Sequence, residues 1–336
     1  MAGRQRLGVG RLVAAAGAAD PRDRDLRRRE GRLTPAPSSP RQLTRRPHRP
    51  ADARPRCGDT AYGHTRFGHA GRPARGPTNG RSGNVSTHGV ALGIDIGGSG
   101  IKGAPVDIAT GQFLQPRAKI ATPEKSTPKA VAAIVDQIAD MFTADLPKDA
   151  PIGVTIPGVV QHGIVRTAAN IDKSWVDAPG QDIFSEALGR KCLLVNDADA
   201  AGVAEQRFGA AKGHEGLVIR TTLGTGIGIA LLHNGILIPN CELGHLEVDG
   251  YDAETRAASS AKEREGLKYQ EWAEKRLQPY YTALENLLWP DLFVVGGGIS
   301  RKADKFLPLL KLRTPIVPAQ LENQAGIVGA AALAAD

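Results

Sequence analysis

This chain of 336 residues is poor in several residue types, and each shortage excludes something. It holds three cysteines, Cys57, Cys192 and Cys241. Thiols so few and so scattered build neither a disulfide framework nor a zinc cluster, and they suit a reducing, cytoplasmic setting. No apolar run approaches the roughly 18 residues of a membrane span, so a membrane protein is not expected. Aromatic residues make up only 4% of the chain. Lysine is missing from the first 88 residues, and the first one is Lys102.

Charge is divided as unevenly as lysine. The net charge is +8, but residues 1–88 carry 19 Arg against five Asp and one Glu. Residues 89–336 hold 24 basic and 29 acidic side chains, so the remainder is mildly acidic. The basic balance therefore gives no argument for nucleic-acid binding by the folded part.

Residues 1–88 are rich in Arg, Pro and Gly. Such a composition buries too little apolar surface to offset chain entropy, so a disordered extension is expected. Arg4 and Arg6 ahead of LVAAAGAA imitate a secretory signal, but the apolar run is short and an Arg-rich tract follows. Arginine without lysine is what GC-rich DNA yields when translated upstream of a true start. Residues 1–84 are read as such a segment or as a dispensable tail, with Val85 as an alternative start.

The remaining length allows one or two domains with a sizeable core. GVALGIDIGGSGIKGAPVD (89–107) reads as strand, glycine turn and strand, and LVIRTTLGTGIGIALLHNG (217–235) repeats that plan. A third strand is expected over 113–121 and a helix over 127–143, where Val131, Ile134, Val135, Ile138 and Phe142 keep helical spacing. IGVTIPGVV (152–160) and CLLVN (192–196) read as buried strands, and residues 197–209 as an Ala-rich helix stopped by Gly209. A long amphipathic helix is expected over 268–288, a helix from about Lys302, and a last one over about 324–335. Cys192, Trp289 and Phe293 are expected in the core. Strands alternating with helices indicate an α/β fold, and the two hairpins suggest two similar lobes facing a cleft.

Chemistry concentrates in five places. Asp95-Ile-Gly-Gly-Ser-Gly-Ile-Lys102 can bring successive N–H groups close to an anion, and an acid before such a nest suits Mg²⁺ beside phosphate. It is neither a P-loop nor a dinucleotide fingerprint, and an ordinary glycine hairpin is the plain alternative. Thr221-Thr-Leu-Gly-Thr-Gly-Ile-Gly228 offers the same nest with the hydroxyls of Thr222 and Thr225 added, and Gly296-Gly-Gly298 closes a strand. Asn196-Asp197 stands where a buried strand meets a helix. Asp197 there fits a helix cap worth about 1 kcal/mol and equally fits a group that orients a hydroxyl nucleophile. Asp199 lies one step further in and is less well placed. Glu242-Leu-Gly-His245, with Glu247 and Glu254 downstream, suits a polyhydroxyl ligand, against the plain reading of a structural histidine. Lys262, Arg264, Lys302, Lys305, Lys311 and Arg313 form either a track for an anionic substrate or a solvated face.

LGIDIGGSGIKG, TAANIDKSW, VNDADAAGVAE, TTLGTGIG, ELGHLEVDG, SAKEREG, LLWPDLFVVGGGIS and KFLPLLKLRTPIVPA follow one another in this order. Together they resemble the ROK family (repressors, open reading frames, sugar kinases), and within it the glucokinases that use polyphosphate. The resemblance spans about 89–336. It implies the actin-like ATPase fold, with two ribonuclease-H-like lobes around a cleft: residues 89–195 joined by a C-terminal helix at 323–336, and residues 196–322. It implies Asp197 as the base facing a sugar hydroxyl, and Asn170, Asn196, Glu242, His245 and Glu254 as holders of glucose. It implies two phosphate loops, Asp95, Gly97, Gly98, Ser99, Gly100 and Lys102 in one, Thr222, Gly224, Thr225 and Gly226 in the other. Gly296, Gly297 and Gly298 would lie near the donor, and Asp95 near Mg²⁺. Glucose, polyphosphate and ATP are the implied ligands, a homodimer the implied assembly, with no nucleic acid or membrane partner.

Many family members carry three zinc-binding cysteines after the Gly-His pair. Here that region reads LEVDGYDAETRAASSAKEREG, so no zinc is expected and His245 is left for the sugar. The competing expectations are an ATP-dependent glucokinase or mannokinase and a non-catalytic sugar-binding regulator. A repressor would need a DNA-binding helix pair ahead of residue 89, for which residues 1–88 show no periodicity.

Overall fold

The computed structural model describes residues 89–144 and 146–336. The expected extension, the start at Val85 and Cys57 lie outside these residues.

In the first half, β1 (Val90–Gly97) turns back at once into β2 (Gly100–Asp107), and β3 (Ala118–Ile120) adds a short edge. The third strand is thus shorter than expected, with Phe113 making only a single bridge to Val106. Helix α1 (Pro128–Asp140) starts with Thr127 as cap and proline in its first turn, and buries Val131, Ala132, Val135 and Ile138. Then come β4 (Ile152–Ile156), the small hairpin β5 (Val160–Gln161) and β6 (Ile164–Val165), helix α2 (Gly180–Ala187), β7 (Leu193–Asn196) and helix α3 (Asp197–Phe208). The sheet order is β3-β2-β1-β4-β7, with β4 parallel to both neighbours. All five residues of β4 are buried, as a continuous apolar run in a parallel strand requires.

The second half repeats the plan. Strands β8 (Leu217–Leu223) and β9 (Ile227–His233) form the second hairpin, and β10 (Ile236–Ile238) is its edge. The hairpin β11 (Glu247–Val248) and β12 (Tyr251–Asp252) precedes helices α4 (Glu254–Ala257), α5 (Ser259–Arg264), α6 (Tyr269–Trp272) and α7 (Gln278–Leu288). Strands β13 (Leu292–Gly296) and β14 (Ile316–Pro318) give the order β10-β9-β8-β13-β14. Helix α8 (Ala325–Ala334) ends the chain.

Helices α3 and α8 pack against each other, and α8 also covers β1 and β4. Their alanines and glycines permit this approach. A Cβ on Gly153 would run into the Ala330 carbonyl, and one on Gly329 into that of Ala200. Separate apolar clusters fill the two halves, one around Ile94, Trp175 and Phe184, the other around Trp272, Tyr281 and Phe306.

Three expectations need correction. The helix over 268–288 is broken by a π turn at Ala273–Leu277. Pro279 donates no N–H and crowds the carbonyl one turn back, and the wider turn accommodates it. No α-helix starts near Lys302: residues Gly298–Lys305 form 3-10 turns kinked at Lys302. Cys192 and Phe293 are buried, but Trp289 is 69% exposed. It caps α7 in a left-handed conformation that turns the indole outward, where the Arg313 guanidinium stacks 3.9 Å from the ring centroid. Among the described residues no helix is long and apolar enough to cross a membrane.

Candidate active site

Neighbouring strands of the first sheet bring the first group together. Asp95 on β1 pairs in register with Lys102 on β2 and with Thr155 on β4, and Ile156, next along β4, pairs with Asn196 at the end of β7. The Thr155 hydroxyl donates to Asp95 Oδ1 at 2.9 Å, and Lys102 Nζ lies 3.6 Å from Oδ2. Gly97 and Gly100 close the turn, Gly98 and Ser99 are exposed at its tip, and Asn170 stands beside Gly98.

Asn196, not Asp197, is the cap of α3. Its Oδ1 accepts from the backbone N–H groups of Ala198 and Asp199, at 2.8 and 3.0 Å, and its Nδ2 donates to the Gly158 carbonyl. One amide hydrogen remains for a ligand. Freed from capping, half-buried Asp197 is the first helical residue. Burial, and then the negative charge of Asp95, push its carboxyl up to about 7, against the Ala198 N–H and Arg220, which pull it down. Asp199 is buried and accepts from the Asn240 N–H at 2.8 Å. Burial pushes it up to about 7 as well.

Asn240 ties the two halves. Its side chain accepts from the Val160 N–H and donates to the Val160 carbonyl, at 2.9 and 2.8 Å. Glu242 and His245 follow within five residues, on a short 3-10 turn, and both are exposed. His245 Nδ1 lies 2.8 Å from Asp252 Oδ2, and this hydrogen bond holds the imidazole pKa above its ordinary value. Glu254 Oε2 accepts from the Ile227 N–H at 2.8 Å, which lays it over the turn at Gly226.

That second glycine turn is locked from behind. The hydroxyl of Ser259 donates to the Gly224 carbonyl and that of Ser260 to the Thr225 carbonyl. Thr222 Oγ1 accepts from Arg220 Nη1 at 2.5 Å. The third glycine run meets the second turn, since Gly297, at φ +88°, lies against the Leu223 backbone. Gly224, Thr225, Gly298 and Lys302 line a cavity of about 450 Å³. The basic set is divided in its surroundings. Lys262 and Lys305 lie over the Tyr269 ring and Lys302 lines the cavity, whereas Arg264 pairs with Glu265 and Arg313 with Glu285.

Arg220 lies just outside the second glycine motif, and an arginine inside the apolar strand LVIRTTL is its signal in the sequence. It is 3% exposed, faces the charges of Glu205 and Asp197, and packs under Gly296.

The ROK family model matches residues 91–268. The chain belongs to the ROK family. A polyphosphate glucokinase of Mycobacterium tuberculosis (strain H37Ra) is 54% identical to this ROK chain over 257 residues, 76% of this chain and 95% of its own length. The crystal structure of the inorganic polyphosphate/ATP-glucomannokinase from Arthrobacter sp. strain KM is similar at 50% identity and a TM-score of 0.70, covering 74% of this chain and 99% of that one. A ROK glucokinase from Streptomyces griseus, in complex with glucose and AMPPNP, is similar at 26% identity and a TM-score of 0.63, covering 73% and 99%. The ROK chain therefore has the actin-like ATPase fold expected of it.

Proposed function

We propose that this chain phosphorylates glucose to glucose 6-phosphate with inorganic polyphosphate, and also ATP, as phosphoryl donor. The observation that carries this reading is the placement of Asp197. A half-buried carboxylate stands at the end of a buried strand and in the field of Arg220, which itself bonds a threonine of the second glycine turn. The 54% identity to a polyphosphate glucokinase supports the choice of acceptor and donor.

In this reading Asn170, Asn196, Glu242, His245 and Glu254 hold the sugar hydroxyls, and Asp197 takes the proton of the attacking one. Phosphoryl transfer through a loose transition state asks little of a base, so positioning and charge neutralisation carry most of the catalysis. General-base help adds roughly 10²–10⁴-fold. The backbone N–H groups of the turns at Gly97–Gly100 and Gly224–Gly226, with the Thr222 and Thr225 hydroxyls, Lys102 and the Gly296–Gly298 run, receive the donor phosphates.

Mg²⁺ is the proposed cofactor, and Asp95 would hold it. The donor set suits a hard cation held by one carboxylate, with water and donor oxygens filling the other positions. Among the described residues no three His, Cys, Asp or Glu side chains cluster as a metal cage. Bound there, the ion would neutralise donor charge. A homodimer acting in the cytoplasm completes the proposal.

The test is glucose 6-phosphate formation with polyphosphate or ATP as sole donor. Turnover with polyphosphate is expected. Turnover with ATP alone would replace the reading by an ATP-dependent glucokinase, and none with either donor would overturn it.

A further inference from the structure

We propose that Asp252 is a positioning residue of the glucose site: one oxygen of its carboxylate orients His245, and the other holds the backbone of Glu254. The inference rests on the reading of His245 and Glu254 as sugar-holding residues, and it concerns a group that acts through both.

The intervening sequence folds Asp252 back onto His245. In VDGY (248–251), Asp249 and Gly250 take φ values of +54° and +77°, the two left-handed residues of a tight hairpin loop. Glu247 therefore pairs with Asp252 across β11 and β12, and the Ala253 N–H donates to the Leu246 carbonyl at 3.0 Å. The Arg256 guanidinium stacks 4.0 Å from the Tyr251 ring centroid and ties the hairpin to α4. Asp252 then serves two directions. Its Oδ2 lies 2.8 Å from His245 Nδ1, and its Oδ1 accepts from the Glu254 N–H at 3.0 Å. Glu254 in turn accepts from the Ile227 N–H beside the second glycine turn.

A carboxylate only accepts, so Nδ1 of His245 carries a proton whether the ring is neutral or charged. In the neutral ring Nε2 is then an acceptor, ready for the proton of a sugar hydroxyl. An imidazole without such a partner carries its proton mainly on Nε2 and would offer the opposite polarity. The bond to Asp252 is the first cause of the raised imidazole pKa; burial opposes it, and the charges of Glu254, Asp252 and Glu242 add to it. Stability does not explain the pair. The side chains of His245 and Asp252 are 53% and 40% exposed, and a charge pair so exposed adds little to folding. What it does is set the polarity of one ring and the place of one carboxylate, both among the proposed holders of glucose.

Asp252→Asn separates the two oxygens. One atom must still accept the Glu254 N–H, so the amide oxygen takes that side and the NH₂ group turns to Nδ1. The proton of His245 should then move to Nε2 while Glu254 keeps its place. Long-range proton–nitrogen correlation spectra of the histidine-labelled full chain in alkaline buffer read this directly, with His245→Gln assigning the signal. A protonated Nδ1 is expected in the unaltered chain and a protonated Nε2 in the Asn variant, with the Tm unchanged. The KM for glucose is expected to rise at least about ten-fold in Asp252→Asn, with kcat and the donor KM changed less. Asp252→Ala, which frees Glu254 as well, should raise it further. A proton on Nε2 in the unaltered chain, or the same tautomer in the Asn variant, would overturn the proposal. So would a moved proton with an unchanged glucose KM, where His245→Gln raises that KM. If His245→Gln also leaves the KM unchanged, the reading of His245 as a sugar holder fails instead, and the tautomer alone decides whether Asp252 orients the ring.

Discussion

Arg220 Nη1 donates a 2.5 Å hydrogen bond to Thr222 Oγ1, and the same buried guanidinium interacts with the charge of Asp197. One buried cation thereby connects the proposed base to the proposed donor turn. Its Nε is buried without a partner, a cost that a purely structural residue in an apolar strand would avoid. Arg220→Met keeps the bulk and removes the charge. Its kcat/KM is expected to fall by about 10–100-fold, the worth of a hydrogen bond to a charged group. Steady-state kinetics beside a thermal melt separate this from unfolding; unaltered kinetics would reduce Arg220 to packing.

Asp197→Asn keeps the shape and removes the base. A loss of at least about two decades of kcat is expected while glucose still binds. Turnover and calorimetric glucose binding check the two halves of the statement, and near-normal turnover would refute the role of Asp197.

The proton on Asp197 sets a pH dependence. The folded carboxyl titrates near 7 and the ordinary value is 3.8, so between them the native state holds a proton that the unfolded chain releases. That contribution to stability is present at the acid end and is lost as pH rises through about 7. Asp197→Asn should therefore raise the Tm at pH 8 more than at pH 5. A base must be ionised, so kcat/KM of the unaltered enzyme should climb through about pH 7. A flat rate profile between pH 6 and 8 contradicts the assignment.

Asp199 receives the Asn240 N–H, and Asn240 in turn grips Val160, just ahead of Glu242 and His245. Asp199→Ala should loosen this tie. The KM for glucose is expected to rise about ten-fold, with kcat changed less. Asp199→Asn keeps an acceptor oxygen and should recover most of the affinity. A KM unaffected by alanine would mean that Asn240 holds its place unaided.

Helix α8 meets α3 through Gly329, whose missing Cβ makes room for the Ala200 carbonyl. Gly329→Ala overpacks this contact. Its expected cost is about 1–3 kcal/mol, read as a lowered midpoint in denaturant.

Residues close in sequence made much of this protein legible. A glycine turn followed immediately by β-forming residues leaves room only for a hairpin, and both hairpins are present. The apolar runs IGVTI and LLVN became adjacent parallel strands, the first buried on both faces and the second, at the sheet edge, fully buried on one. Asn196-Asp197 marked the junction of strand and helix, although capping fell to Asn196 and left Asp197 available. Sequence by itself determined these elements and the order of the glycine turns, since each depends on backbone preferences within a few residues.

Tertiary structure alone decided the rest. It turned Trp289 outward, because the left-handed cap ending α7 outweighed the apolarity of the indole. It divided the basic residues into paired arginines and lysines gathered on Tyr269. It set Asp95 and Arg220 close enough to shift the titration of Asp197. These outcomes depend on desolvation and on charges from residues distant in sequence, and such terms take their values only once the sheets and helices have packed.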